Sequence, residues 1–207
     1  MWYRFLMDQP PKFREVARRA IREQISAAAL ARFNNHGFHE TTVEHIAADV
    51  GMSTRTFFRY FPTKDDVLLE GTRAFRARFL SSLDEALPTE NLWEALGIAL
   101  RASTIDCRSG SAQRDREVQA LIQKTPSVMA RELEVMDKLL AEAAERCCGL
   151  NSQAARLDKG VVHAVVGSAF SCYRTVELRL NAEATSDEAG EMLRLLMLAL
   201  KPVVLKW

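Results

Sequence analysis

Between Thr41 and Pro62 the chain has room for two helices of about two turns each, and residue type marks where each starts and ends. Thr41 or Thr42 can cap the first, over 43–50, because a hydroxyl there accepts from a backbone N–H that has no partner within the helix. Gly51 closes it. Ser53 offers a new cap for 54–61, and Pro62 ends that second helix by pushing the residue before it out of the helical region. Ile46, Ala47 and Val50 lie on one side of the first helix, and Phe57 and Phe61 lie one turn apart on the second. The two can share a small core, closed by Ile25 and Phe33, with Ala47 small where they approach. Two short helices meeting through Gly51-Met52-Ser53 are a helix-turn-helix.

The second helix keeps Thr54, Arg55, Thr56, Arg59 and Tyr60 outward, a set rich in hydrogen-bond donors. A helix that reads DNA places its N-terminal side chains on base edges in the major groove, while flanking groups grip phosphate and fix the register. Ser53, Thr54, Arg55 and Thr56 stand at that end. The fork of Arg55 matches guanine O6 and N7, and Thr54 or Thr56 can meet a thymine methyl or a phosphate. Arg59, Tyr60 and Lys64 are candidate clamps on the DNA backbone, and Thr42 offers a hydroxyl and free N–H groups to another phosphate. Taken one at a time, Arg59 and Lys64 read as solvated charges and Tyr60 as core; their clustering about one short capped helix favours DNA. Charge agrees. The whole chain carries +1, yet Lys12 to Lys64 holds nine basic against five acidic residues, leaving about −3 on the rest. His36, His39 and His45 lack the regular spacing of metal ligands and are expected to be surface or capping residues.

The run Thr41-Thr42-Val43-Glu44-His45-Ile46-Ala47, with Gly51-Met52-Ser53 and Thr54-Arg55-Thr56-Phe57-Phe58-Arg59-Tyr60-Phe61-Pro62-Thr63-Lys64-Asp65-Asp66, closely resembles the TetR family of bacterial regulators. The likeness covers about fifty residues, Ile21 to Leu69. It implies a homodimer with paired recognition helices on double-stranded operator DNA, and a variable C-terminal domain whose ligand tunes DNA affinity. This chain departs from many relatives in carrying Thr54 where they have a basic residue.

Only 9 Gly and 6 Pro occur in 207 residues, among long Ala-, Leu-, Glu- and Arg-rich stretches, so an all-α fold of about nine helices joined by short turns is expected. The spans are 14–35, stopped by Gly37 in a left-handed conformation; 43–50; 54–61; 64–87, capped by Thr63 and broken by Pro88; 92–107; 113–124; 128–148, after a break at Pro126 and stopped by Gly149; 152–181; and 186–205. Residues 1–13 are expected to be a flexible extension, with Met7 an alternative start, 14–63 a DNA-binding domain, and 64–207 a ligand-binding and dimerisation domain. Apolar residues at 48% and charged residues at 27% exclude disordered and fibrous classes. No stretch runs uncharged for ~20 residues, which points to a cytoplasmic protein without a membrane partner.

Over 152–181, Leu157, Val161, Val165, Cys172, Val176 and Leu180 form one apolar row, and Val162, Val166, Ala169 and Tyr173 another. In the last span Leu193, Leu195, Leu196, Met197, Leu198, Ala199 and Leu200 are apolar nearly all round. A four-helix bundle with a second copy would bury that excess, with Val161, Val165, Cys172, Val176, Leu193, Leu196, Met197 and Leu200 at its interface. The rival is a thick monomeric core. A ligand cavity would be lined by Trp93, Leu96, Leu100, Leu121, Met129, Leu133, Met136, Leu140, Val166, Phe170 and Tyr173, any of which also serves as ordinary packing. The region after Leu92-Trp93, with Thr125-Pro126 and Arg131-Glu132-Leu133, more distantly resembles mycofactocin-type regulators. That resemblance implies an acyl-CoA-like effector, for whose phosphates Arg101, Arg108 and Arg114 could serve.

An enzyme would need a nucleophile beside a base. His163 and Cys172 are the nearest pair, and nine residues of helix set them on opposite sides. No phosphate-binding Gly loop, HExxH or GxSxG occurs. The reading is therefore a ligand-responsive DNA-binding regulator, a repressor released by a small apolar or amphipathic effector, with no cofactor, no metal and no catalysis. The alternatives are a thiol or metal sensor using Cys107, Cys147, Cys148 and Cys172 and, more remotely, a small helical enzyme.

Overall fold

Gly37 and Gly51 are the two glycines with positive φ among the described residues, at +85° and +68°, and they shape the first three helices. The structure, a computed structural model, describes residues 11–107, 112–179 and 185–202. Helix α1 (Pro11–His36) ends where the Gly37 N–H bonds the Phe33 carbonyl at 2.9 Å, a left-handed cap that a side chain at Gly37 would strain. Helix α2 (Val43–Asp49) closes on a two-bond motif: Met52 N–H to the Ala47 carbonyl and Gly51 N–H to the Ala48 carbonyl. Helix α3 (Thr54–Phe57) follows α2 after four residues, Val50 to Ser53. Its backbone bonds continue past its α-helical end, through Arg59 to Thr56, Tyr60 to Phe57 and Phe61 to Phe57, so the expected second turn is present in tighter form.

The remaining helices are α4 (Asp65–Leu68), α5 (Glu70–Ala86), α6 (Leu92–Cys107), α7 (Ala112–Lys124), α8 (Pro126–Leu150), α9 (Lys159–Arg179) and α10 (Ser186–Ala199), with a 3₁₀ turn at Ala154–Arg156. Ten α-helices thus lie among the described residues, against about nine expected, because the span 64–87 is two helices. It breaks at Leu69. Val67, Leu68 and Leu69 are all buried, and three consecutive side chains about 100° apart need neighbours around more than half of a continuous helix. Lys64 is the N-cap of α4, and one residue earlier Thr63 accepts from the Asp66 N–H at 3.3 Å while Asp66 accepts from the Thr63 N–H at 3.0 Å.

Four further boundaries differ from the sequence reading. Pro126 opens α8 at the one position where its missing N–H costs nothing. Helix α8 runs through Gly149, and buried Asn151 ends it. The Asn151 amide donates to the carbonyls of Leu87 and Glu90, each at 2.9 Å, while its oxygen accepts from the N–H groups of Gln153 and Ala154. Helices α9 and α10 are shorter than expected, α9 starting after the 3₁₀ turn and α10 ending at Ala199. The expected flexible segment over 1–13 lies mostly outside the described residues. Among the described residues no helix is long and apolar enough to cross a membrane.

The chain forms two compact units: Met1–Glu70 with Leu121–Val128, and Gly71–Ala120 with Met129–Trp207. The core of the first gathers Ile25, Ala29, Phe33, Ile46, Ala47, Phe57, Phe61 and Leu69, and its α1 packs on α2 and α4 while α2 packs on α3. Complete burial of Phe57 and Phe61 stabilises the unit by about 1.5–3 kcal/mol each. The core of the second runs from Phe75 and Phe79 through Leu96 and Leu100 to Val166, Phe170 and Leu193.

Candidate nucleic-acid interface

Helices α2 and α3 are both held at their N-termini by side chains. The Thr42 hydroxyl accepts from the His45 N–H and His45 Nδ1 accepts from the Thr42 N–H, both at 3.4 Å, which makes His45 a capping residue. Ser53 accepts from the Thr56 N–H at 3.2 Å, and the hydroxyls of Ser53 and Thr56 bond each other at 2.9 Å. Arg32 of α1 pairs with Asp49 at the end of α2 through Nε and Nη2, the latter at 2.7 Å, and this holds the Asp49 carboxyl below its ordinary range.

Those contacts fix the outer surface of α3. Phe57 and Phe61 point wholly inward, their ring centroids 5.9 Å apart, whereas Ser53, Arg55 and Arg59 are exposed and Thr54, Thr56 and Tyr60 are half-buried. No described residue engages the Arg55 guanidinium, so its five N–H donors face solvent. Thr42 is exposed at the start of α2.

Lys64 is placed differently from the other candidates. Its ammonium donates to the carbonyls of Phe38 at 2.7 Å and Thr41 at 2.9 Å and sits 4.4 Å from the centroid of the Phe38 ring. Two of its three N–H donors are therefore engaged in tying the 37–42 loop to the head of α4. The sequence reading took Lys64 for a phosphate clamp, since a lysine beside a helix-turn-helix gives no sign of which carbonyls lie within its reach.

Arg22 of α1 is a further residue at this site that the sequence reading does not single out. Its Nε donates to Glu70 Oε1 at 2.6 Å and its Nη2 to Glu70 Oε2, while Nη1 donates to the Tyr60 carbonyl. Its guanidinium carbon stands 4.2 Å from the centroid of the Phe61 ring.

In the second unit Trp93, Leu96, Leu100, Val166 and Phe170 belong to one buried apolar cluster, with Met136, Leu140 and Tyr173 packed against it. Phe75 stacks on Tyr173 at 4.7 Å, and Phe79 meets Phe170 edge-on at 4.9 Å. Met129 and Leu133 are exposed, and Leu121 belongs to the first unit.

The dimer candidates divide by burial. Val165, Cys172, Val176, Leu193 and Met197 are buried by the chain's own packing, while Val161 and Leu196 are half-buried and Leu200 is exposed. The two apolar rows of α9 merge into one broad inner face. Its outer face carries Ala164, Gly167, Ser168, Ser171 and Thr175, small or polar residues that a search for apolar periodicity passes over, and exposed Leu178 near its end. On α10, Leu195 and Leu198 are exposed instead.

Cys147 and Cys172 are buried free thiols, and burial pushes Cys147 up to about 12 and raises Cys172 as well. Cys148 is a half-buried free thiol; the side chain of Cys107 and all of Arg108 lie outside the described residues. His163 is exposed and Cys172 buried, on opposite sides of α9. Among the described residues no three His, Cys, Asp or Glu side chains gather as a metal site.

Residues 25–70, which contain this whole helix-turn-helix, match the family described as bacterial regulatory proteins, tetR family. Residues 25–70 are thus a TetR-family segment. The HTH-type transcriptional regulator TcmR of Streptomyces glaucescens is 33% identical over 134 residues, covering 62% of this chain and 59% of TcmR. MftR of Mycobacterium tuberculosis, named as a regulator of mycofactocin biosynthesis, is 32% identical over 107 residues, covering 51% of this chain and 53% of MftR. The matched segment thus spans between half and three fifths of these relatives. A Mesorhizobium loti protein described as a TetR-family regulator shares the fold, with a TM-score of 0.55 at 16% identity over 88% of this chain and 97% of its own. In TetR-family terms α2 and α3 form the helix-turn-helix, and the second unit is the all-helical C-terminal domain.

Proposed function

We propose that this chain is a TetR-type DNA-binding transcriptional regulator, a repressor that holds a palindromic operator as a homodimer and leaves it on binding a small apolar or amphipathic effector. The observation that carries the reading is the exposed start of α3, where Arg55 projects from a capped turn whose opposite face is wholly buried. A guanidinium fork on a rigid helix start suits guanine O6 and N7, with Thr54 and Thr56 beside it for a thymine methyl or a phosphate. Ser53, Thr42, Arg59 and Tyr60 flank it as backbone contacts, and Lys64 contributes with its remaining N–H.

A two-fold dimer would set two copies of α3 about 34–36 Å apart, one turn of duplex. The outer faces of α9 and α10 support it. The hydroxyls of Ser168, Ser171 and Thr175 each bond a carbonyl of their own helix at 2.8–2.9 Å, leaving a low surface for another helix, and exposed Leu195 and Leu198 gain from being covered. The effector reading rests on the apolar and aromatic interior around Trp93, Leu96, Leu100, Val166 and Phe170, which suits an acyl-CoA-like tail or another apolar group. A thiol sensor is less well supported, because the thiolate is the reactive form and burial opposes it at Cys147 and Cys172. The protein would act in the cytoplasm, on the nucleoid when bound.

Selection of bound duplexes from a random pool, followed by sequencing, tests the reading. Enrichment of an inverted repeat is expected. A purified protein that retains no duplex even at low ionic strength would end it.

A further inference from the structure

Helix α3 is too short to fix its own position. Four residues of α-helix make few internal bonds, and such a segment is unstable without outside support. Its start is held by Ser53. Its end has an unsatisfied carbonyl at Tyr60, and the residue two positions on is Pro62, which has no N–H to offer.

Arg22 supplies what is missing. Its Nη1 donates to the Tyr60 carbonyl, its plane covers the Phe61 ring, and the other edge of its fork is taken by the Glu70 carboxylate. The Arg22 side chain is only 16% exposed, so one planar cation is enclosed with all three partners in contact. Glu70 is the first residue of α5, the helix that continues into the second unit.

We infer that Arg22 is a positioning residue for the recognition helix: it anchors the last turn of α3 to the head of α5 and so sets sequence-specific DNA affinity without contacting DNA. The inference rests on the reading of α3 as the DNA-binding helix. Base contacts depend on register, so a small tilt of α3 removes them, whereas non-specific attraction to phosphates tolerates it. Lysine cannot replace the arginine, because a point-like ammonium cannot fork onto a carboxylate, reach a carbonyl and cover a ring together.

The test uses full-length protein and the duplex recovered by binding-site selection with the unaltered chain, beside a random duplex of the same length. Arg22→Lys should bind the selected duplex about tenfold to a hundredfold more weakly and the random duplex within about twofold of normal. In the DNA-free protein, amide exchange should quicken at Phe58 and Phe61 more than at Ile25 and Ile46. Glu70→Gln keeps length and an acceptor, guards against a folding failure of the first variant, and should show the same pattern at smaller size. Selected and random duplexes weakened equally, or exchange raised uniformly, would make Arg22 a general stabiliser and overturn the inference. Unchanged affinity in both variants would also overturn it while leaving the regulator reading intact. Failure of the unaltered protein to retain any duplex would remove both.

Discussion

The indole N–H of Trp93 donates to the main-chain carbonyl of Met197 at 2.8 Å, wholly out of water. That carbonyl lies in the last turn of α10, where the helix offers no donor of its own, so Trp93 at the start of α6 completes the C-terminus of a helix a hundred residues away. Trp93→Phe should keep most of the ring packing and lose the bond. A loss of about 1–3 kcal/mol is expected, because an acceptor is left buried and unpaired. It should appear as a lower urea midpoint at unchanged slope; an unmoved midpoint would show the carbonyl satisfied otherwise.

Arg55 and Lys64 should separate cleanly. Arg55→Ala removes an exposed side chain, so melting should be unaltered while discrimination against single base changes falls by about 1–3 kcal/mol at one position. Lys64→Met keeps an apolar stem over Phe38 and strips the donor from two carbonyls, so its main effect should be a lower melting temperature. A Lys64→Met protein that melts normally but loses about one unit of salt dependence would make phosphate contact, rather than the loop tie, the main role of this lysine.

Leu198 is 64% exposed in the single chain, so Leu198→Asp should leave the protomer folded. If a second copy covers this face, the variant should sediment as a monomer at concentrations where the unaltered chain is dimeric. Leu193→Asp, at a buried position, should instead unfold the second unit. A Leu198→Asp protein with unchanged sedimentation moves the dimer contact elsewhere.

Burial pushes the Cys147 thiol from 9.0 up to about 12, so the unfolded chain releases this proton first as pH rises. Its contribution to stability is complete below about 9 and declines toward about 12. Cys147→Ala should flatten that part of the stability profile relative to the unaltered chain. Thiol-specific reagents at neutral pH should label Cys147 only on unfolding; rapid labelling in the native protein would revive the sensor reading.

The helix-turn-helix was legible because its signals are local. Thr42, Gly51, Ser53 and Gly37 act on backbone groups within five residues of themselves, and Phe57 and Phe61 declare an inner face by being one turn apart. Arg55 could be assigned to the outer face by subtraction. Long-range pairing left no such trace. That Arg22 reaches Tyr60 and Glu70, that Lys64 reaches back to Phe38, and that Asn151 rather than Gly149 stops α8 depend on side chains meeting carbonyls up to 64 positions away.

In the second unit, hydrophobic periodicity alone determined that α9 and α10 would be helices with more apolar surface than a solvated face allows. Which side turned inward was decided by packing. Val165, Cys172 and Leu193 went to the protomer's core, and the outer face fell to Ala164, Gly167 and Ser168, whose small side chains carry almost no transfer energy for a sequence pattern to register. Backbone capping and residue spacing act over a turn or two and are written in the chain; the choice of partners among distant groups is made only when the whole core closes.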